Sequence, residues 1–430
     1  MSTTVRRTPQ ITGSLPGPRA VALIERDRSA LSPSFTRPYP FVMERGEGCW
    51  ATDVDGNQLL DFTAGIAVNA TGFSHPRVVA AVTEQAGRFL HMSGTDFYYR
   101  PEIELAERLG RRVLPGATAR VFFTNSGAEA IEGAMKLARF ATGRPNFIAF
   151  HGGFHGRTMG ALSLTASKAV QRRGFGPFLP AVFHAPFASA ARGVSTAESL
   201  GRIEELLATV APADTVAAVV VEPIQGEGGY VLPHDDFLPR LRELTQRHGI
   251  LLVHDEVQSG MGRTGRFLAA EHWGVEPDIV VLAKGIASGL PLGAFAARSE
   301  AMSWAPGSHG STFGGNPVAC AAALATLDLL DEGLMENAAE VGAHLLDGLR
   351  NLAGRHPARI VEARGLGLML ALEMATPELA AAVVDRAYRR GLLLLTCGAQ
   401  AVRFCPPLIL SREEADTGLS IVGRVLGEIG

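Results

Sequence analysis

Residues 250–284 read ILLVHDEVQSGMGRTGRFLAAEHWGVEPDIVVLAK and contain two short apolar runs, each followed by charged residues. The same rhythm extends outward to RVFFTN (120–125), NFIAF (146–150) and AAVVVEP (217–223), with helical stretches such as AEAIEGAMKLARFAT between the runs. Continuous apolar strands separated by helices are typical of a parallel sheet that helices cover on both faces. The sequence therefore predicts an α/β chain.

Outside this region the pattern is different at each end of the chain. The first forty residues are rich in Pro, Ser, Thr and Arg and predict an arm, followed by a hairpin that turns at Asp55-Gly56. RIVEARGLGLMLALEM and AVRFCPPLIL read as strands of a smaller α/β unit near the C-terminus. We expect an arm and part of a small domain over residues 1–75, a large domain over 76–325, and a C-terminal small domain over 326–430.

Composition and charge exclude several classes of partner. The chain has 430 residues, a net charge of −3 and no block of like charge, so neither nucleic acid nor a membrane surface is expected as a partner. The four cysteines are scattered without a CxxC pair, which favours a reduced, cytoplasmic location. No secretory leader is recognisable at the N-terminus, and no apolar stretch reaches the ~20 residues of a membrane span.

Charged residues stand where the predicted strands end, which is where open α/β sheets bind ligands. Glu222, Asp255 and Lys284 each follow an apolar run. Lys284 in a cleft has the chemistry of an amine nucleophile toward carbonyls, and Asp255 has that of a partner for a protonated pyridine nitrogen, as pyridoxal phosphate sites require. The alternatives are a lysine that extends to solvent and a buried ion pair.

Three further motifs carry candidate chemistry. Ser126-Gly127-Ala128 would expose backbone N–H groups to a phosphate at a helix N-terminus, or form an ordinary cap. In GFHGRT, Phe154 could stack on a planar ring and Arg157 could clamp a carboxylate, or they could be a core phenylalanine and a solvated arginine. His151 and His155 lack a third convergent ligand, so no metal is expected.

GMGRTG (260–265) matches the glycine fingerprint of dinucleotide sites. Such a site needs its glycines in the turn between a strand and a helix, with an acidic residue about 20 positions later. Here DEVQS intervenes and RFLAAEHWG is a poor start for a helix. A nicotinamide oxidoreductase therefore stays a distant alternative.

Six motifs in order are similar to those of a known family. The chain resembles the class III aminotransferases, pyridoxal phosphate (PLP) enzymes of fold type I, from about Arg45 to about Arg403. This resemblance implies a large domain with a mixed, mostly parallel sheet and a smaller α/β domain built from the two chain ends. The motifs are NSGAEAIEGAMKLAR, FHGRTMGALSLT, VEPIQGEGGY, HDEVQSGMGRTG, LAKGIASGLPLGA and GSTFGGNPVACAAA.

The resemblance also implies roles for residues of the cofactor site. Lys284 would carry PLP and move the proton during catalysis, while Asp255 would keep the ring nitrogen protonated. Thr312 would reach the phosphate of the other subunit, which implies at least a homodimer with shared active sites. The remaining implied contacts are Gln258 to the phenolic oxygen, Phe154 to the ring face, the backbone of Ser126, Gly127 and Ala128 to the phosphate, and Glu222 as a support of the pocket.

Substrate residues follow from the same resemblance. Arg157 would bind a distal carboxylate, and Arg403 the α-carboxylate of glutamate or 2-oxoglutarate, with Glu227 masking Arg403 when an ω-amine enters. Ile66 would line the substrate channel. The expected enzyme is an ω-aminotransferase that uses 4-aminobutyrate or ornithine and 2-oxoglutarate. Acetylornithine aminotransferase and PLP-dependent amino-acid racemase are the alternatives, and no role follows for His254.

Overall fold

The computed structural model describes residues 7–429, and the strands in that range form three sheets. In chain order they are β1 (Met43–Glu47), β2 (Trp50–Asp53), β3 (Gln58–Asp61), β4 (Ala119–Thr124), β5 (Asn146–Phe150), β6 (Val182–Ala185), β7 (Val216–Val221), β8 (Leu251–Asp255), β9 (Ile279–Leu282), β10 (Gly293–Arg298), β11 (Ile360–Leu366), β12 (Met369–Met374), β13 (Leu392–Leu393), β14 (Leu395–Cys397) and β15 (Ala401–Phe404).

The helices are α1 (Pro18–Ala30), α2 (Ala64–Ala67), α3 (Pro76–Arg88), α4 (Arg100–Val113), α5 (Gly127–Thr142), α6 (Met159–Leu164), α7 (Thr196–Thr209), α8 (Phe237–Arg247), α9 (Pro317–Leu329), α10 (Met335–Arg355), α11 (Pro377–Arg389) and α12 (Arg412–Glu428). The single turn α2 is left-handed, since all four of its residues have positive φ. No helix between residues 7 and 429 is long and apolar enough to cross a membrane.

A seven-stranded sheet with the order β4-β10-β9-β8-β7-β5-β6 positions the site. β9, β8, β7, β5 and β6 pair in parallel, whereas β10 runs antiparallel to both β9 and β4. One buried cluster packs this sheet against α5 and α6, and another packs the opposite face against α7 and α8. The mixed, mostly parallel sheet covered on both faces is confirmed.

One strand prediction needs correction, and one strand was not predicted. After β9 a 3-10 turn (Lys284–Ala287) leads toward the antiparallel β10, which no pattern in the sequence indicated. AVRFCPPLIL is a strand only at Ala401–Phe404, because Pro406 and Pro407 have no N–H to donate to a ladder. The hairpin at Asp55-Gly56 is present, with Trp50 paired to Leu60 across it.

Two four-stranded sheets stand beside the large one. Their orders are β1-β2-β3-β13 and β11-β12-β15-β14. β13 pairs in parallel with β3, so a strand from each end of the chain shares one sheet. Both chain ends therefore contribute to one small sheet, while the boundaries at 75/76 and 325/326 stay a proposal.

Candidate active site

A cavity of about 460 Å³ lies at the carboxyl ends of β7, β8 and β9. Every residue predicted to hold the cofactor lines it except Thr312, which lies exposed on the loop after Gly310. Lys284 and Asp255 thus face one space, as the strand-end argument predicts. The lining residues from that prediction are Ser126, Gly127, Ala128, Phe154, Glu222, Asp255, Gln258 and Lys284.

Lys284 begins the 3-10 turn that follows β9 and has φ +48, a left-handed conformation that is strained for lysine. Its side chain is half-buried in the cavity wall. Burial lowers the pKa of its ammonium group, although the carboxylates of Glu227, Asp255 and Glu222 act in the opposite direction. A lysine whose pKa is lowered is more readily a neutral amine, the form that attacks a carbonyl carbon.

Asp255 is held by a histidine that the sequence analysis considered only as a metal ligand. The Nδ1 atom of His155 lies 2.8 Å from Oδ2 of Asp255, and the backbone N–H of Val257 donates to Oδ1 at 3.0 Å. Both side chains are buried. Burial disfavours the charged imidazole, but the Asp255 carboxylate raises the pKa of His155 overall. In the described residues no group of three or more candidate ligands could hold a metal ion.

Glu222 connects two loops beneath the cavity. Its carboxylate accepts the backbone N–H of Phe154 at 2.8 Å and that of Gly226 at 2.9 Å. Burial raises the pKa of Glu222 to about 7, against the opposing effects of His155 and the two N–H donors. The GFHGRT loop and the loop after β7 are therefore fixed to the same carboxyl group.

The predicted phosphate cradle is the N-terminus of α5. Ser126 is the N-cap, and its Oγ accepts the backbone N–H of Glu129 at 3.2 Å. The Glu129 carboxylate turns away to accept the backbone N–H of Asn125 at 2.7 Å. The first N–H groups of a helix have no intrahelical acceptor, so those of Gly127 and Ala128 are available to an anion.

Arg403 and Glu227 form a buried ion pair close enough to Lys284 to influence its pKa, although neither residue lines the cavity. Nη1 of Arg403, on β15, lies 2.5 Å from Oε1 of Glu227. Glu227 lies in a loop whose ends, Gln225 and Val231, exchange backbone hydrogen bonds, and its carbonyl oxygen accepts the N–H of Gly398 at 2.9 Å. The Arg403 guanidinium lowers the pKa of Glu227, although burial alone would raise it.

The remaining predicted substrate residues are more exposed. Arg157 lines the cavity, with its guanidinium carbon 5.9 Å from the centre of the Phe154 ring. Ile66 is 40% exposed on the left-handed turn α2 at φ +69, whereas its neighbour Val68 lines the cavity. Four predicted site residues thus do not line the cavity of this chain: Ile66, Glu227, Thr312 and Arg403.

The GMGRTG glycines do not form a dinucleotide site. They lie in a turn that begins no long helix, where Gly262 packs on Leu330 and Gly265 packs on Ala339. The buried Arg263 donates to the carbonyl oxygen of Leu368 at 3.1 Å. The motif packs the large domain against the C-terminal region. The structure therefore does not support the nicotinamide alternative.

Comparison with known proteins agrees with this geometry. Residues 32–426 match the family model for class-III aminotransferases. A 5-aminovalerate aminotransferase of Pseudomonas aeruginosa is 40% identical over 95% of this chain and 98% of its own length. An acetylornithine aminotransferase of Gloeobacter violaceus is 44% identical over 91% of this chain and 94% of its own. An alanine/serine racemase of Pyrococcus horikoshii is 38% identical over 97% of this chain and 92% of its own length.

Among solved structures, a PLP-bound amine transaminase from an uncultivated Pseudomonas species superposes with a TM-score of 0.85 at 34% identity. The superposition covers 93% of this chain and 98% of that one. The cavity fits the same cofactor, since it combines a lysine, a carboxylate and a helix N-terminus at the ends of parallel strands. This chain belongs to the class III aminotransferases, PLP-dependent enzymes of fold type I.

Proposed function

We propose that the enzyme is an ω-aminotransferase that moves the amino group of 4-aminobutyrate or ornithine to 2-oxoglutarate. The observation that carries this proposal is the buried pair of Arg403 and Glu227 beside the lysine of the cavity. An enzyme with two unlike substrates must admit a carboxylate in one half-reaction and an uncharged carbon chain in the other. A cation with a removable partner meets both needs.

PLP supplies an electron sink, and the side chains around it hold and orient the reactants. Lys284 would attach the cofactor, and its amine would move the proton at the substrate carbon. Asp255 keeps the ring nitrogen protonated, and the N–H of His155 fixes the orientation of its carboxylate. Phe154 covers one face of the ring.

Other residues complete the proposed cofactor contacts. Gln258 donates to the phenolic oxygen, and Glu222 holds the two loops that support the ring. The phosphate is bound by the N-terminus of α5, through Ser126, Gly127 and Ala128.

The exchange of partners on Arg403 between the two half-reactions is here called the gate. We assign the gate to movement of the Glu227 side chain rather than of its loop. The Glu227 backbone is fixed by Gly398, and the ends of its loop are bonded to each other. When the α-carboxylate of 2-oxoglutarate arrives, it takes the place of the Glu227 carboxylate on Arg403. When the ω-amine enters, the pair re-forms, while Arg157 binds the distal carboxylate and Ile66 contacts the carbon chain.

A homodimer with shared sites belongs to the same proposal. Thr312 is exposed and lies outside the cavity of its own chain, as expected of a residue that serves the neighbouring subunit. Large apolar side chains near it are also exposed, among them Leu90, Phe97 and Phe313. A partner subunit covering this surface would remove them from water. The four free thiols are consistent with a cytoplasmic location.

Acetylornithine aminotransferase remains the nearest alternative, supported by the relative of that name. An amino-acid racemase is the second, supported by the alanine/serine racemase. A racemase works on a single amino acid and needs no switch between two substrates. The Arg403–Glu227 pair therefore favours the aminotransferase.

Spectral titration of the purified holoenzyme tests the proposal. Ornithine, 4-aminobutyrate, N-acetylornithine and several L-amino acids are added one at a time, without a keto acid. An ω-amine that bleaches the visible cofactor band until 2-oxoglutarate is added identifies the donor. Loss of optical activity from an L-amino acid, with no lasting bleaching by any amine, would instead identify a racemase.

A further inference from the structure

Tyr230 is a buried residue to which neither the motifs nor the family resemblance assigns a role. It is fully buried near the end of the 225–231 loop, and its hydroxyl donates to Oε1 of Gln258 at 2.9 Å. Its φ of +51 is unfavourable for a tyrosine, and Nε of Arg364 holds its carbonyl oxygen at 3.0 Å. The surrounding structure therefore maintains a strained backbone at a residue that contacts the cavity wall.

The same loop also contacts the Gln258 amide through Gly226. A Cβ atom at position 226 would lie 2.5 Å from Nε2 of Gln258, which is closer than real Cβ contacts allow. Only glycine fits there without displacing the amide. The Gln258 side chain is thus packed against one residue of the loop and hydrogen-bonded by another.

The observed hydrogen bond, in which the Tyr230 hydroxyl donates to Oε1 of Gln258, gives the amide a definite orientation. Burial raises the pKa of Tyr230 well above its usual value, so the hydroxyl keeps its proton and stays a donor. A donor on Oε1 occupies the amide oxygen and leaves the amide N–H groups for other acceptors. A reversed amide would donate to the tyrosine oxygen instead, which would leave the buried tyrosine O–H without this acceptor and turn the amide oxygen toward any anion in the cavity.

We propose that Tyr230 is a positioning residue that directs the Gln258 amide N–H at the phenolic oxygen of the cofactor. This inference rests on the proposed contact between Gln258 and that oxygen. With PLP held by Lys284, this N–H would stabilise negative charge on the phenolic oxygen and would thereby lower the pKa of the nitrogen that Lys284 supplies. The structure thus links a residue outside the cavity lining to the protonation state of the bound cofactor.

The test uses the holoenzyme and four variants: Tyr230→Phe, Gln258→Leu, their double mutant and Tyr388→Phe. Tyr388 is the matched control, because it is a buried tyrosine whose hydroxyl donates to the Pro40 carbonyl oxygen at 3.2 Å, away from the cavity. The readouts are the pH midpoint of the visible cofactor band and the rate of PLP release. Circular dichroism and the thermal unfolding temperature verify that each variant is folded.

We expect Tyr230→Phe to raise the pH midpoint by roughly half a unit to one unit, the size of one lost hydrogen bond. PLP release accelerates several-fold, while Tyr388→Phe leaves both readouts unchanged. The double mutant matches Gln258→Leu alone, because Tyr230 acts through Gln258. The inference is overturned if Tyr230→Phe behaves like Tyr388→Phe, or if its effects add to those of Gln258→Leu.

The experiment gives a different result if the proposed contact between Gln258 and the phenolic oxygen is itself wrong. If Gln258→Leu itself leaves the midpoint and the release rate at the values of the unmodified enzyme, Gln258 does not contact the phenolic oxygen. If the unmodified protein shows no cofactor band, the proposed site is wrong as a whole.

Discussion

The two ends of the active site are built in different ways. At the cofactor end, Asp255 and Lys284 follow neighbouring strands of one sheet, and their positions derive from parallel strands that terminate at the same edge. At the substrate end, Arg403 lies on a separate sheet, and its partner Glu227 is 176 residues away in sequence. The cofactor end is thus built on neighbouring strands of one sheet, whereas the substrate end joins a strand of another sheet to a loop that is distant in sequence.

This difference separates two kinds of function. Groups on strand ends keep a fixed geometry, which suits chemistry common to every half-reaction. In our proposal the ion pair between a strand and a loop exchanges partners, which suits discrimination between substrates. We therefore expect variants at the cofactor end to affect both half-reactions, variants at the substrate end to affect one, and variants behind the sheet to affect neither.

The largest effect is expected at the cofactor end. Lys284→Ala removes the group that we propose to attach PLP and to move the proton, so both half-reactions should slow by ~10⁴-fold or more. Single-turnover kinetics with each substrate measure this loss. Lys136→Ala is the control, since Lys136 contacts the Ser308 carbonyl oxygen outside the cavity. Full activity in Lys284→Ala would contradict the whole scheme.

At the substrate end we expect an effect on activity of intermediate size that falls mainly on one of the two half-reactions. Arg403→Leu should lower kcat/KM for 2-oxoglutarate by roughly 10- to 100-fold, the value of charge-assisted hydrogen bonds. The ω-amine half-reaction should change less. Because this variant leaves Glu227 buried without its partner, Arg403→Leu with Glu227→Gln serves as the matched variant.

Glu227→Gln alone gives the reciprocal result. It leaves Arg403 unmasked, so the ω-amine half-reaction should suffer more than the 2-oxoglutarate half-reaction. Equal losses in both half-reactions, in either variant, would refute the gate.

The smallest effect on activity is expected at His254, whose side chain lies on the face of the large sheet opposite to that of Asp255. Its ring is fully buried, and neither nitrogen has a hydrogen-bond partner among residues 7–429. Successive side chains on a strand point to opposite faces, so His254 on β8 faces away from Asp255. Replacement by Leu removes two unsatisfied polar atoms and should raise the thermal unfolding temperature by about 2–4 °C.

The pH dependence of stability at His254 has a definite sign. Burial lowers the pKa of His254 from 6.5 to about 3. Between those values the unfolded chain binds a proton that the folded chain does not, so stability falls as the pH falls from 6.5 toward 3. His254→Leu should lessen this acid-side loss while both half-reactions keep their rates. Unfolding temperatures measured from pH 7 to 4 would contradict the assignment if the two proteins lost stability in parallel.

The sequence predicts one end of the site better than the other for a physical reason. Apolar runs identify strands, and strand ends place Glu222, Asp255 and Lys284 together without knowledge of any relative. No local pattern pairs His155 with Asp255, because that contact depends on how the GFHGRT loop folds back over the sheet. The same holds for Tyr230 and Gln258, which belong to different loops.

Local sequence patterns likewise do not predict the pairing of strands that are distant in the chain. No pattern indicated β10, and the pairing of β13 with β3 connects residues more than 300 positions apart. Arg403 and Glu227 were identified only through the family resemblance, since charges so distant in sequence have no spacing rule that relates them.

The many attachments of the 225–231 loop have a consequence for how such an enzyme can diversify. Its backbone is fixed by Glu222 at Gly226, by Gly398 at Glu227 and by Arg364 at Tyr230. An inserted or deleted residue would break several of these bonds at once, so this loop should keep its length as relatives diverge. With the substrate roles proposed above, new substrate ranges must then arise by exchanging side chains, and engineering libraries belong at Arg157, which lines the cavity, and at Ile66, close in sequence to the lining residue Val68.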